Sequence, residues 1–319
     1  MNKAYFEIIR PGIHSTLQDL GRSNQYHIGI PFSGSMDKRN YLISNKLVGN
    51  KLNEASLEFA YQGPLMKFNS GKATGVITGN VTFNIIRKNS KIDKGVCYQS
   101  FVLNDGDKLD IISTNRSVYG YFSIKNGFAA EYFWESCSVN TKAKIGSNNG
   151  EKFGINQKIY INKNESLSDI KKIDYLNSKI EYIRVLEGTN FNFFSKKAKE
   201  IFFSSEFTIS KFTDRMGMRL EGTKIENLGE TNIRSEGLIK GVIQVPTDGN
   251  PIIMLSDHGT IGGYPKIAVV ISADYDRLTQ LTPGSKIKFK SVELNEAENL
   301  YKLYEIETEN ILNQIRWIF

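Results

Sequence analysis

Cysteine is nearly absent: Cys97 and Cys137 are the two thiols among 319 residues. With so few, and no C-x-x-C pair, a disulfide framework and a cysteine-built metal knuckle are excluded. Histidine is scarce too. His14, His27 and His258 occur at no H-x-x-H spacing, so no metal site is expected. Long apolar runs are missing: the longest aliphatic stretch is about five residues, against roughly 20 for a bilayer span. The opening M-N-K-A-Y-F-E-I-I-R-P has no apolar stretch of signal-peptide length. The expectation is a cytoplasmic protein with no membrane association. No G-x-x-x-x-G-K-[ST] loop, no G-x-G-x-x-G after a strand and no G-x-S-x-G elbow occurs, which excludes the standard nucleotide loops and the serine-hydrolase elbow.

Positive charge is in moderate excess: 41 Lys and Arg against 34 Asp and Glu give +7. The densest run is only Lys196-Lys197-Ala198-Lys199. No glycine-arginine tract or aromatic RNA-binding signature accompanies it, so a solvated lysine-rich surface is expected and no nucleic-acid partner. Hydrophobic residues reach 40%, including 19 Phe and 15 Tyr, enough for a sizeable core. A length of 319 suggests about two domains.

Short β-branched and aromatic runs dominate: Lys108 to Ile111, Val118 to Ile124, Tyr182 to Leu186, Glu206 to Ile209, Gly241 to Val245 and Lys286 to Phe289. Several alternate apolar with polar and are bounded by Gly, Asn or Pro, which points to barrels or sandwiches. Asp105 to Ile111 echoes Pro283 to Phe289: a turn, a lysine, then a strand. The two are read as closing strands of two similar β-domains, residues 1–140 and 181–319, joined by the Asn-, Lys- and Ser-rich segment 141–180. Two helices are expected. One has Ser35 as N-cap and Asp37 in its first turn, stops at Gly49-Asn50, and places Met36, Ile43 and Leu47 on one face. The other is C-terminal, with Asn295 and Glu298 as a capping box and a stripe of Leu300, Tyr304, Ile311, Ile315 and Ile318.

Three segments carry chemistry. Pro11 to Arg22, followed by His27 and Ile30 to Asp37, crowds polar side chains among glycines and prolines; Asp19 and Arg22 there are either loop-capping groups or ligand contacts. In Thr213-Asp214-Arg215-Met216-Gly217, Arg215 either makes a surface ion pair or offers its planar fork to a carboxylate or phosphate. The third segment runs from Ser235-Glu236-Gly237 through Gln244 to Ser256-Asp257-His258-Gly259-Thr260-Ile261-Gly262-Gly263-Tyr264-Pro265-Lys266. An amide, an acid, a phenol and an amine lie within about two dozen residues, beside paired glycines suited to close ligand approach. Such a set can hold an amide substrate: Gln244 and Tyr264 fix its carbonyl, and Lys266 opposes developing negative charge.

Five motifs in order, P-G-I-H-S-T-L-Q-D-L-G-R, G-I-P-F-S-G-S-M-D, T-D-R-M-G-M-R-L-E-G, S-E-G-L-I-K-G-V-I-Q-V-P-T-D-G-N-P-I and G-G-Y-P-K-I-A, resemble the biotin-dependent carboxyltransferase family. That family includes the C-type component of 5-oxoprolinase, the KipA proteins and the second subunit of allophanate hydrolase. The resemblance runs from about residue 8 to residue 290, nearly the whole chain.

It implies a mainly β protein of two cyclophilin-like β-barrel domains with a few short helices and a C-terminal helix. It further implies one component of an ATP-dependent 5-oxoprolinase, which opens the lactam of 5-oxo-L-proline to L-glutamate. Its implied partners are a related second component, similar to KipI and to the first subunit of allophanate hydrolase, and a third component. ATP is then bound by the complex. Biotin enters only in the alternative, a carboxyltransferase or allophanate-hydrolase component that works on urea or a related amide. A KipA-type regulator that sequesters a kinase inhibitor is the other alternative. Carried onto this chain, the motifs imply Lys266, Tyr264 and Asp257 as catalytic residues. They imply Arg215, Gln244, Gly262, Gly263, Asp19 and Arg22 as substrate-binding ones. The family commonly reads Asp-Arg-Gln-Thr where this chain has Asp257-His258-Gly259-Thr260, so an expected arginine and glutamine are replaced.

Overall fold

The computed structural model describes residues 3–162, 170–175, 181–226 and 232–318, with backbone alone for 317 and 318. Parts of the expected connecting segment (163–169 and 176–180), the side chain of Ile318, and Phe319 lie outside the described residues. The chain is mainly β, with a C-terminal helix. It divides into two compact units: Met1–Arg22, Ser33–Leu176 and Thr308–Phe319 form one, Ser23–Phe32 and Asn177–Glu307 the other. The expected connecting segment is therefore not separate. Its strands Lys158–Tyr160 and Ile170–Lys172 are built into sheets of the first unit.

In the first unit, six antiparallel strands run in the order Lys158–Tyr160, Tyr5–Arg10, Leu65–Asn69, Lys108–Thr114, Val81–Ile86, Ile92–Lys94. Five more run His14–Gln18, Ser56–Ala60, Tyr119–Ile124, Lys72–Thr78, Phe101–Asn104. Strand Val81–Ile86 follows the period of two, with Val81, Phe83 and Ile85 buried, because a strand sends alternate side chains to opposite faces. Tyr119–Ile124 is buried at every position. Its Phe122 packs edge-on to Phe6 at 5.4 Å, while Tyr121 and Ser123 meet helix Lys38–Leu47, through Tyr41 and the Ser44 hydroxyl.

That helix is capped by Asp37, whose carboxylate accepts from Asn40 N, so the cap lies two residues beyond the expected Ser35. A carboxylate at the N-terminus satisfies a free N–H and suits the helix dipole. Met36, Ile43 and Leu47 are buried as expected.

The second unit holds one eight-stranded sheet: Lys286–Ile287, Phe207–Ile209, Gly217–Glu221, Ile252–Met254, Val242–Gln244, Lys266–Val270, Ile183–Glu187, Phe289–Ser291. The single passage 286–291 supplies both ends of that order, so the sheet curls into a nearly closed barrel. Phe202, from helix Lys196–Ser204, stacks on Phe289 at 4.5 Å. The C-terminal helix spans Leu294–Asn313, so Asn295 lies inside it rather than at its cap. Ile315 falls beyond it, and Arg316–Ile318 pairs as a strand with Ile170–Lys172. Ile315 and Ile318 happen to continue the three-and-four spacing of the helix, and spacing alone does not register where a helix stops.

Candidate functional site

Within the second unit, antiparallel pairing sets Gln244 on strand Val242–Gln244 opposite Lys266 on strand Lys266–Val270. Opposed residues of neighbouring strands bring their side chains together. The glycine-rich connection that ends at Lys266 is not a free loop. Its Ile261–Gly262 pairs with Glu236–Gly237 as a two-stranded ribbon, extended by Leu238 N to Thr260 O at 2.9 Å and Ile233 N to Gly263 O at 2.8 Å.

Gly262 faces the Gln244 amide so closely that a Cβ would sit 2.7 Å from Nε2 and 2.8 Å from Leu238 Cδ1. Any larger residue there would have to push the Gln244 amide or the Leu238 methyl aside. The Gln244 Nε2 donates to the Tyr264 carbonyl at 3.0 Å, while the Tyr264 ring is partly exposed.

Lys266 is 3% exposed. Its Nζ donates to Glu236 Oε2 at 2.7 Å and lies 3.5 Å from Asn190 Oδ1. The same Asn190 oxygen accepts from Lys266 N at 3.0 Å. Glu236, by contrast, leaves 45% of its side chain in solvent. The Lys266 ammonium holds the Glu236 carboxyl below the usual carboxylate range. Glu236 and Asn190 are thus members of this cluster that were not among the expected site residues. Glu236 was visible only as part of a Glu-Gly step, and Asn190 carries no signal at all in its Gly-Thr-Asn context.

Arg215 and Asp257 form a pair of their own. Arg215 Nε donates to Asp257 Oδ2 at 2.8 Å and a second guanidinium nitrogen to Oδ1 at 3.0 Å. Both side chains are buried. The backbone repeats the link, Asp257 N donating to Arg215 O at 2.8 Å. The fork-to-carboxylate geometry is the one Arg uses best, and here its partner is internal.

The neighbouring His258 is 1% exposed. Its Nδ1 lies 2.6 Å from the Gly259 carbonyl, which can only accept, so Nδ1 carries the proton and Nε2 accepts from the Tyr26 hydroxyl at 3.1 Å. This tautomer follows from the hydrogen bonds. Burial pushes the His258 pKa down and the Tyr26 phenol up. Both ring nitrogens of His258 are therefore occupied, one of them by Tyr26 of the Ser23–Phe32 stretch.

A neutral buried imidazole has a consequence for stability. The folded pKa lies below the unfolded one, so the unfolded chain binds more protons in between and stability falls as pH drops below about 6.5. The limiting slope is about 1.4 kcal/mol per pH unit. Thermal melts between pH 7 and pH 5 are expected to show this fall in wild type. The contribution should be absent in His258→Gln; an unchanged slope would rule out His258 as its source.

The remaining expected residues, Asp19 and Arg22, belong to the first unit. Asp19 Oδ1 accepts from the hydroxyls of Ser136 and Ser138, each at 2.6 Å, and from Gly21 N at 2.8 Å, while Oδ2 accepts from Cys137 N at 2.7 Å. Arg22 is 2% exposed and donates to the Ser138 carbonyl. These contacts organise the 136–138 turn. The Cys137 thiol is pushed up by burial and by Asp19, which makes it inert.

Lys266, Gln244, Gly262, Gly263 and Tyr264 are thus brought together with Glu236 and Asn190. Arg215 and Asp257 hold each other, and Asp19 and Arg22 form a separate buried cluster. Among the described residues no group of three or more His, Cys, Asp or Glu side chains could hold a metal ion. No helix among them is long and apolar enough to cross a membrane.

Residues 28–291 match the carboxyltransferase domain, subdomain A and B, and the chain belongs to that family. It is 32% identical over 305 residues to the C-type component of 5-oxoprolinase from Haemophilus influenzae, covering 95% of each chain. It is 29% identical over 297 residues to the Escherichia coli protein of the same name, covering 91% of this chain and 92% of that one. The urea amidolyase of Kluyveromyces lactis shares the fold, with a TM-score of 0.86 at 24% identity. The match covers 98% of this chain but 20% of that one.

Proposed function

We propose that the protein is one component of an ATP-dependent 5-oxoprolinase, hydrolysing the lactam of 5-oxo-L-proline to L-glutamate in the cytoplasm together with a related second component and a third. The observation that carries this reading is the buried Lys266 ammonium held by Glu236, on a strand that pairs with Gln244, while Glu236 itself pairs with Gly262. The names of relatives 32% and 29% identical support it.

Ring opening places negative charge on the lactam carbonyl oxygen. A preorganised ammonium in a water-poor site opposes that charge without reorganising. Gln244 and Tyr264 fix the lactam amide, and the two glycines let the ring approach the backbone. Arg215 and Asp257 act as a brace, since each neutralises the other. Asp19 and Arg22 support the turn they cap.

Three helix starts among the described residues offer no phosphate cradle. The starts of helices Lys38–Leu47 and Lys196–Ser204 are closed by their own Asp37 and Ser195 side chains, and the first turn of helix Ser272–Thr279 carries buried Asp274. Phosphate binding at a helix start needs free N–H groups and no competing anion. In this reading ATP is bound by the complex.

The test is ADP release by the reconstituted complex. Stimulation by 5-oxo-L-proline is expected, and it should vanish when this chain is omitted. Stimulation by urea in place of 5-oxo-L-proline would move the assignment to a urea-type enzyme, which the urea amidolyase relatives make the competing outcome.

A further inference from the structure

Lys266 and Glu236 are unequal partners. The lysine is 3% exposed and sits in the barrel, where Asn190 holds its backbone N–H at 3.0 Å. The glutamate is 45% exposed and sits on the ribbon formed with Ile261–Gly262, which lies outside the eight-stranded sheet. A two-stranded ribbon this short, even with the Leu238–Thr260 and Ile233–Gly263 hydrogen bonds that extend it, has little stability of its own. Rehydrating a half-exposed carboxylate costs little, whereas a buried ammonium left without a counter-ion is strongly unfavourable. The position on Lys266 can therefore be vacated only to another anion.

We propose that Glu236 is a displaceable internal counter-ion, occupying on Lys266 the place that the carboxylate of an incoming ligand takes, with the 233–237 and 260–263 ribbon as the flap that moves, hinged at buried Leu238. The exchange swaps one Lys–carboxylate pair for another, so charge is conserved throughout. Of the ammonium's three N–H groups, one is taken by the carboxylate while another stays available to the lactam carbonyl oxygen. Ligand class follows from the chemistry: a small molecule bearing a carboxylate, whose remaining amide atoms meet Gln244 and Gly262. Ile261, 65% exposed on the flap, offers apolar surface to close over such a ligand. The identity of the ligand as 5-oxo-L-proline rests on the function proposed above; the anion site does not.

Calorimetric titration of the full chain with acetate, 5-oxo-L-proline and 2-pyrrolidinone tests this in wild type, Glu236→Gln and Glu236→Gln/Lys266→Met. Removing the internal competitor is expected to tighten acetate and 5-oxo-L-proline about tenfold. The uncharged lactam should be unchanged, and the gain should be lost when Lys266 is also replaced. Glu236→Asp, which keeps the charge but withdraws it by one methylene, should fall between and serves if the glutamine variant folds poorly. Carboxylate binding that is equal or weaker in folded Glu236→Gln overturns the proposal. So does an equal gain for 2-pyrrolidinone. If acetate tightens but 5-oxo-L-proline neither binds nor stimulates ADP release, the counter-ion role stands and the lactam reading falls. If 5-oxo-L-proline stimulates turnover with a KM that Glu236→Gln does not change, the lactam reading stands and the counter-ion role falls.

Discussion

Asp257→Ala is expected to destabilise the protein by about 3–5 kcal/mol, because it strands the Arg215 guanidinium in the interior without its carboxylate. The two side chains are 6% and 4% exposed and joined by two hydrogen bonds of 2.8 and 3.0 Å. Most of that cost belongs to the abandoned charge rather than to the lost bonds. Arg215→Met should cost a similar amount, since it abandons the carboxylate instead. Replacing both by apolar groups of similar size (Arg215→Met with Asp257→Leu) should restore most of the stability, as buried pairs exchanged for packed hydrophobic groups often do. Calorimetry is the suitable readout, because it registers the unfolding of either compact unit. A cost under about 1 kcal/mol for the single variant would mean that water reaches the pair, as it does for exposed ion pairs.

Lys266→Met should reduce 5-oxo-L-proline-stimulated ADP release by roughly 10²- to 10³-fold, the usual loss when one group that stabilises a developing oxyanion is removed. Methionine matches the lysine stem and fills irregular space. The glutamate left behind is 45% exposed and can hydrate. The variant should therefore still fold and still enter the complex, so the loss should appear in turnover and not in assembly. Size-exclusion chromatography of the mixture checks the second point. Activity within about threefold of wild type would remove Lys266 from the chemistry.

The strand-rich character was legible because burial alternates where the sequence alternates, as in Val81–Ile86. The helix after Ser35 was legible from its cap residues and its Met36, Ile43, Leu47 face. Its start was misplaced by two residues because Ser35 and Asp37 are both good caps. Only the real backbone shows that the Asp37 carboxylate reaches Asn40 N. The C-terminal stripe overran the helix at Ile315 because pattern alone does not register that Arg316–Ile318 has a strand partner at Ile170–Lys172.

Composition and motif order by themselves determined that this is a β-rich chain with no disulfide framework, and they located the glycine-rich stretch at 259–263. The chemistry there is local: glycine suits a backbone that comes as close to a side chain as Gly262 does to Gln244. Which ionisable group meets which was decided only by the tertiary structure. Lys266 takes Glu236 across 30 residues, Arg215 takes Asp257 across 42, and His258 takes Tyr26 across 232. Those choices depend on strand register and on the path of the 23–32 stretch. A one-residue slip of register turns a side chain to the opposite face, and no local spacing records it.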